Sequence, residues 1–312
     1  MKSGPVAVIG AGTIGIGWAA LLLARGHDVR VFDPADGAEV RLRDGVEAAW
    51  PALERLGLAA GADRSRLTTS ATLEQALEGA TFVQESGPED LEAKAELLAD
   101  VDALAPEGVV VASSSSGLMP TTLQQMCSAH PERVLIGHPF HPAQLVPLVE
   151  VVPGERSSKE FVKAAFSFYE SLGKRPVLVR GEVPGHLTNR LQAALWREAY
   201  SLVERGIATV GDIDTAISSG PGLRWALLGP LAGQHLSGGP GGMAHTLRHL
   251  GPPAQVWMDD LGAPRLTPAL TDALVAGVDA ELEGIDQRDL VAQRDELLVE
   301  LILRKRDFPS LP

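Results

Sequence analysis

Val6-Ala7-Val8-Ile9-Gly10-Ala11-Gly12-Thr13-Ile14-Gly15 joins four apolar, strand-type residues to a glycine-rich turn, and the turn opens directly into a helical stretch, Ile14–Arg25. Each glycine has its own task in such a turn. Gly10 permits the tight bend, Gly12 lets the backbone approach a pyrophosphate, and Gly15 lets helix and strand pack closely. The helix start at Thr13 and Ile14 brings free N–H groups and the positive end of the helix dipole to the phosphates. Asp33 follows eighteen positions after Gly15, at the end of the next strand-like run. A carboxylate there accepts hydrogen bonds from adenosine ribose hydroxyls and repels a 2′-phosphate, so the cofactor implied is NAD rather than NADP. A glycine-rich turn alone is a weak signal; strand, helix and acid in the right order make it a strong one.

Outward from this stretch, short strand-type runs alternate with helical ones. Val29–Phe32, Thr81–Gln84, Val109–Ala112, Val134–Ile136, Leu148–Val152 and Val177–Val179 read as strands, and Leu91–Leu104 carries apolar residues at helical spacing. That alternation predicts a parallel sheet with helices on both faces. From about Pro184 the strand-like runs cease and helical patterns appear at His186–Arg205, Val210–Ser218 and Leu290–Arg306, with Gly- and Pro-rich breaks expected at Ser219–Gly222, Gly238–Gly242 and Gly251–Pro253. The fold class is therefore α/β. A doubly wound Rossmann-type NAD-binding domain over 1–183 is followed by an all-helical domain over 184–312 for substrate binding and dimerisation.

Composition narrows the partners. At 312 residues, 45% hydrophobic and 21% charged, the chain can bury a large core. A formal charge of −13 argues against nucleic acid and anionic membrane surfaces, because the long-range field repels phosphates. An anionic cofactor must then be held by local geometry. The single Cys127 excludes an intrachain disulfide, no cluster has metal-ligand spacing, and neither a signal-type leader nor an apolar run of spanning length is evident. A cytoplasmic location without a metal is the expectation.

Gly137-His138-Pro139-Phe140-His141-Pro142, followed by Leu148-Val149-Glu150-Val151-Val152, carries the chemistry. Oxidising an alcohol by hydride loss also requires a proton to leave, and a neutral imidazole suits that task near neutral pH. His138 would take the proton, and Glu150 would hold the other ring nitrogen and stabilise the imidazolium. Taken in isolation, His138 would read as a packed histidine at a strand end and Glu150 as a solvated edge residue. Beside a dinucleotide turn, the paired reading is preferred.

These two segments resemble the signature of the 3-hydroxyacyl-CoA dehydrogenase family, in which a catalytic His lies in His-x-Phe-Asn-Pro and a Glu in Leu-Val-Glu-Val; His138 and Glu150 match it with the same spacing of twelve. Ser113–Ser116 resembles the family's polar segment, and the resemblance implies that Ser116 contacts the substrate hydroxyl and the nicotinamide. Val183-Pro184-Gly185-His186-Leu187-Thr188-Asn189-Arg190 resembles the Pro-Gly-Phe-x-x-Asn-Arg segment, which gives Asn189 a role at the substrate oxygen, with a helix cap as the plain alternative. Glu85, Ser86 and Glu89 with Lys94 resemble the cofactor-side loop, where Glu89 and Lys94 are either cofactor neighbours or an ordinary surface ion pair.

Within the family the resemblance leans toward gulonate and carnitine dehydrogenases through Gln84–Glu89, Leu145–Glu150 and Gly222-Leu223-Arg224-Trp225-Ala226. Arg224 could pair with a free substrate carboxylate, or with a helix C-terminus or a partner subunit. Trp225 could face a trimethylammonium, or lie in the core. The implied reaction is NAD-dependent oxidation of the 3-hydroxyl of a small hydroxy acid by a homodimer. A 3-hydroxyacyl-CoA dehydrogenase and a non-catalytic NAD-binding crystallin-like protein are the alternatives. His141 departs from the pattern by replacing the family Asn.

Overall fold

The computed structural model describes residues 4–311. Its backbone divides into two compact units between Arg190 and Leu191. The first contains eight strands: β1 (Val6–Ile9), β2 (Val29–Phe32), β3 (Leu67–Thr69), β4 (Phe82–Glu85), β5 (Val111–Ser113), β6 (Val134–Pro139), β7 (Leu148–Pro153) and β8 (Arg175–Leu178). They form one sheet in the order β3-β2-β1-β4-β5-β6-β7-β8. Every neighbouring pair is parallel except β6 with β7. The order reverses direction at β1, the topological switch where open sheets of this kind bind ligands beyond the strands' carboxyl ends.

Helices α1 (Thr13–Ala24), α2 (Ala38–Leu56), α3 (Leu73–Leu77), α4 (Leu91–Leu104), α5 (Pro120–Gln124) and α6 (Lys159–Ser171) connect the strands. Successive residues of β1 enter opposite cores, Val6 and Val8 on one side, Ala7 and Ile9 on the other. That is the alternation a strand imposes, and both faces are covered because both are apolar. The first core contains most of α1, which is buried along its length from Gly17 to Ala24. Phe82 and Phe168 stack in it with ring centroids 3.8 Å apart.

The expected strands and the helix Leu91–Leu104 are present; β1, β2 and that helix have the expected bounds, and the other expected strands have ends shifted by at most three residues. β3 was not legible in the sequence, because Leu67-Thr68-Thr69 is an edge strand with a single apolar residue.

Helix α7 (Thr188–Glu204) crosses the division between the units, and the second unit continues through α8 (Val210–Ser218), α9 (Pro221–Leu228), α10 (Pro230–Ser237), α11 (Gly242–Asp260), α12 (Pro268–Glu281) and α13 (Gln287–Lys305). One expectation is corrected here: Gly251-Pro252-Pro253 does not separate two helices but lies inside α11. A proline removes the bond to the carbonyl four residues back. Both prolines are exposed, as are Arg248 and His249 four positions before them, so the prolines lie on the side of α11 turned to water. Among the described residues no helix is long and apolar enough to cross a membrane.

Candidate active site

The turn after β1 is shaped as a phosphate cradle. Gly10 has φ +102°, and a Cβ on it would lie 2.5 Å from the Ser86 carbonyl oxygen; a Cβ on Gly15 would overlap the carbonyl of Gly10. These two positions demand glycine for the fold itself. Gly12 differs, since a Cβ there would meet nothing within 4 Å. It faces open space at the N-terminus of α1, where no side chain caps the helix and Thr13 is exposed. Free N–H groups around Gly12, Thr13 and Ile14, with room in front of them, fit a pyrophosphate.

Asp33 follows β2 directly and accepts hydrogen bonds from Ala11 N–H (2.7 Å, Oδ2) and Ala35 N–H (2.8 Å, Oδ1). It thus braces the turn and still has lone pairs to offer. It lines a cavity of about 550 Å³ together with Asp36, Gly37, Glu39 and Thr69. Three carboxylates around this cavity suit ribose hydroxyls and disfavour a 2′-phosphate. The residues present therefore fit NAD.

His138 and Glu150 face each other across the antiparallel pair β6–β7. Their side chains meet: His138 Nδ1 lies 2.8 Å from Glu150 Oε2, and both residues are buried. The other carboxylate oxygen accepts from the N–H groups of Leu187 (3.1 Å) and Thr188 (2.7 Å). Burial pushes the Glu150 carboxyl up, but the bonds from His138 and Thr188 and the charge of the imidazole outweigh it and leave it below the usual carboxylate range. A carboxylate so held accepts a hydrogen bond from Nδ1–H, which fixes the tautomer with Nε2 as the bare, basic nitrogen. The packed-histidine alternative contains no such pair.

The four serines Ser113–Ser116, the first ending β5 and the others following it, each have a defined partner. Ser113 donates to Glu85, Ser114 Oγ lies 2.8 Å from Gln84 Nε2 and 2.9 Å from Ser86 Oγ, and Ser115 donates to Glu89 (2.7 Å). The same Glu89 oxygen takes Ser116 N–H (2.8 Å), Ser116 Oγ (3.2 Å) and Gly117 N–H (3.0 Å). Burial raises the Glu89 carboxyl, and these donors with Lys94 bring it below its ordinary value. Asn189 Nδ2 donates to the Ser116 carbonyl at 3.1 Å. Lys94 is buried, 2.8 Å from buried Glu85 and 3.7 Å from Glu89. The surface-pair reading of Glu89 with Lys94 is thereby corrected: the ammonium lies inside, and Glu85 is its main partner.

His186 was not singled out in the sequence as a site residue. It is fully buried, its ring centroid 5.7 Å from that of His138, and its Nε2 is 3.2 Å from the Ser115 carbonyl. It has φ +50°. A non-glycine residue there costs about 1 kcal/mol or more, and such strain concentrates at functional sites. The sequence signal was its replacement of the family Phe.

Lys174 fastens the loop between β6 and β7, donating to the carbonyls of Ala143 and, at 2.7 Å, Val146. Burial, then the charge of Arg25, push its ammonium down to about 7. His141 lies in this loop, exposed. Arg224 belongs to the second unit, where it lines a cavity of about 410 Å³ with Trp225, Gln234, Trp257 and Met258. Trp225 is 41% exposed, which overturns its reading as a core residue.

Residues 5–183 match the NAD binding domain of 3-hydroxyacyl-CoA dehydrogenase, and residues 185–281 match the C-terminal domain. The chain belongs to the 3-hydroxyacyl-CoA dehydrogenase family. It is accordingly an NAD-dependent dehydrogenase. Among similar proteins of this family are an L-carnitine dehydrogenase of Streptomyces coelicolor, 54% identical over 95% of this chain and 93% of its own, and one of Pseudomonas aeruginosa, 48% identical over 95% and 92%. In structure the chain resembles 5-formyl-3-hydroxy-2-methylpyridine 4-carboxylic acid 5-dehydrogenase, an NAD+ dependent dismutase, with a TM-score of 0.82, 30% identity and coverage of 98% of both chains.

Proposed function

We propose that this 3-hydroxyacyl-CoA dehydrogenase family member oxidises the 3-hydroxyl of a small free hydroxy acid, L-carnitine, to the ketone. The observation that carries the mechanism is the buried His138–Glu150 pair with the second carboxylate oxygen gripped by Leu187 and Thr188. His138 Nε2 takes the hydroxyl proton as the carbon–hydrogen bond breaks. Glu150 keeps Nδ1 protonated and offsets the charge that develops on the ring. Ser116 and Asn189, joined through the Ser116 carbonyl, orient the substrate oxygen. Bound NAD, held by the Gly10–Gly15 turn, Asp33 and the Glu89–Lys94 side, supplies the hydride acceptor.

The names of the relatives favour carnitine over gulonate, and Arg224 offers a fork for a carboxylate where a thioester has none. Trp225 and Trp257, lining the same cavity as Arg224, suit a quaternary ammonium. The acidic chain does not advertise a basic docking surface for the CoA phosphates. NADH formation with L-carnitine, L-gulonate and 3-hydroxybutyryl-CoA tests the reading: turnover of carnitine supports it, and preference for the thioester overturns it. Arg224→Ala should raise the KM for carnitine roughly 10- to 100-fold with a smaller change in kcat.

We further assign residues 1–183 to NAD binding and 184–312 to substrate binding and dimerisation. In the second unit Trp196, Val275 and Val278 are exposed around an apolar cavity of about 510 Å³. A second copy of the chain is the partner that would cover them. A monomeric mass in solution would remove this assignment.

A further inference from the structure

Gln84 is a buried amide on β4, where Phe82 and Val83 before it are core residues and the β1 residue in register with it is Val8. An amide in such a place is costly unless its polar atoms are paired, and both have partners. Tyr169 donates its hydroxyl hydrogen to Gln84 Oε1 at 2.7 Å, while Gln84 Nε2 donates to Ser114 Oγ at 2.8 Å and to the Gly137 carbonyl at 3.3 Å. A carbonyl only accepts, so the Gly137 contact fixes which end of the amide is nitrogen.

The two acceptors have a particular place in the sheet. Backbone pairing of β5 with β6 runs as far as Ser113 opposite Ile136, and Ser114 and Gly137 are the next residues on either side. Gln84 reaches both from β4, passing Ala112, the β5 residue in register with it, whose methyl leaves room. Gly137 immediately precedes His138, and Ser114 begins the segment that carries Ser116. A Cβ on Gly137 would overlap the Tyr169 hydroxyl, so the glycine lies directly against the phenol that holds the amide. Ser114 Oγ takes a second N–H from Trp18 Nε1 of α1 at 3.3 Å, which fills its lone pairs and leaves its own hydrogen for Ser86 Oγ at 2.9 Å. Glu150 orients His138 and Glu89 gathers Ser115 and Ser116, each within its own segment. Gln84 ties the two segments to each other.

We propose that Gln84 is a positioning residue for the oxidation: its amide extends the β5–β6 pairing by one step and so fixes His138 relative to Ser116. The proposal rests on the reading of His138 as the base. Base and serine must address one substrate oxygen, and a displacement of about 1 Å can cost about a hundredfold in rate.

Two variants are compared with the native chain. Gln84→Glu keeps the shape and the acceptor for Tyr169 but loses the donor to Ser114 and Gly137. Gln84→Met combined with Tyr169→Phe removes amide and phenol together, which spares the core an unpaired hydroxyl. Rates are read with whichever of L-carnitine, L-gulonate and 3-hydroxybutyryl-CoA the native chain oxidises, with hydrogen or deuterium on the carbinol carbon. Both variants should lose about 10- to 100-fold in kcat, with the dissociation constant of NAD changed by less than about threefold. The deuterium isotope effect on kcat should rise, because a misplaced base slows hydride transfer until that step limits turnover. Without any substrate, hydrogen exchange should quicken together in residues 113–118 and 137–140 of the double variant while its unfolding transition is kept.

Native kcat and isotope effect in a variant with an unchanged unfolding transition would overturn the proposal, as would unchanged exchange in both segments. Failure of the mechanism reads differently: His138→Ala would then retain turnover, whereas failure of this proposal leaves His138→Ala inactive and the Gln84 variants at native rates.

Discussion

Replacing Glu150 by Gln changes one atom's chemistry and almost no volume, and the three donors around it force a choice. The carboxylate accepts from His138 Nδ1, Leu187 N–H and Thr188 N–H. An amide has one oxygen and one NH2 group. If the oxygen stays on Leu187 and Thr188, the NH2 group faces His138 and drives the proton from Nδ1 to Nε2. The nitrogen that should receive the substrate proton is then already protonated. Loss of a positioned base costs about 10²- to 10⁴-fold in kcat, roughly 3–5 kcal/mol. If the amide turns the other way, two backbone N–H groups lose their acceptor in the interior, at about 1–3 kcal/mol each. Glu150→Gln must therefore lose activity with its stability intact, or lose stability, and the pair of measurements says which. NADH formation read alongside thermal unfolding is the assay. A variant with kcat within threefold of the native value and an unchanged Tm would refute the reasoning.

The glycine turn separates fold from binding. Gly12→Ala should keep its Tm and weaken NAD binding at least tenfold in a calorimetric titration, whereas Gly15→Ala, whose Cβ overlaps the Gly10 carbonyl, should lose stability first. Lys174 titrates at about 7 in the folded chain and in its ordinary, much higher range when unfolded. The unfolded state thus holds the extra proton between these values, and stability gains up to about 1.4 kcal/mol per pH unit from this group as pH rises from 7 toward 10. Unfolding curves of Lys174→Met against the native chain should diverge over that window, and parallel curves would contradict the assignment. His138→Ala should abolish turnover while His141→Asn, at an exposed loop position, retains it; steady-state rates showing the opposite ranking would move the base to His141.

Much of the first unit was legible because its signals are local. The β1–Gly–α1 stretch announces itself through residues that touch within one turn, and the apolar runs of the central strands need no partner to be read. What escaped was set by distant contacts. β3 owes its place to the neighbouring β2 rather than to its own composition. The prolines of α11 are tolerated because that face is exposed, which no local rule reveals. At the site, His138 and Glu150 were found through their resemblance to the family signature, but the N–H groups of Leu187 and Thr188 on Glu150 come from 37 and 38 positions away. The location of Lys94 inside the protein and the burial of His186 against the Ser115 carbonyl likewise depend on neighbours far along the chain.

The antiparallel pairing of β6 with β7 also sets what the intervening loop is free to vary. Residues facing each other on two such strands keep a constant sum of positions, so a slip of a single residue would turn the carboxylate of Glu150 to the far side of the sheet and strand the imidazole. Loop 140–147 can therefore change its composition, and even its length, provided the ladder re-forms with these two residues opposite. An engineer reshaping the loop would watch the pairing rather than the residue count.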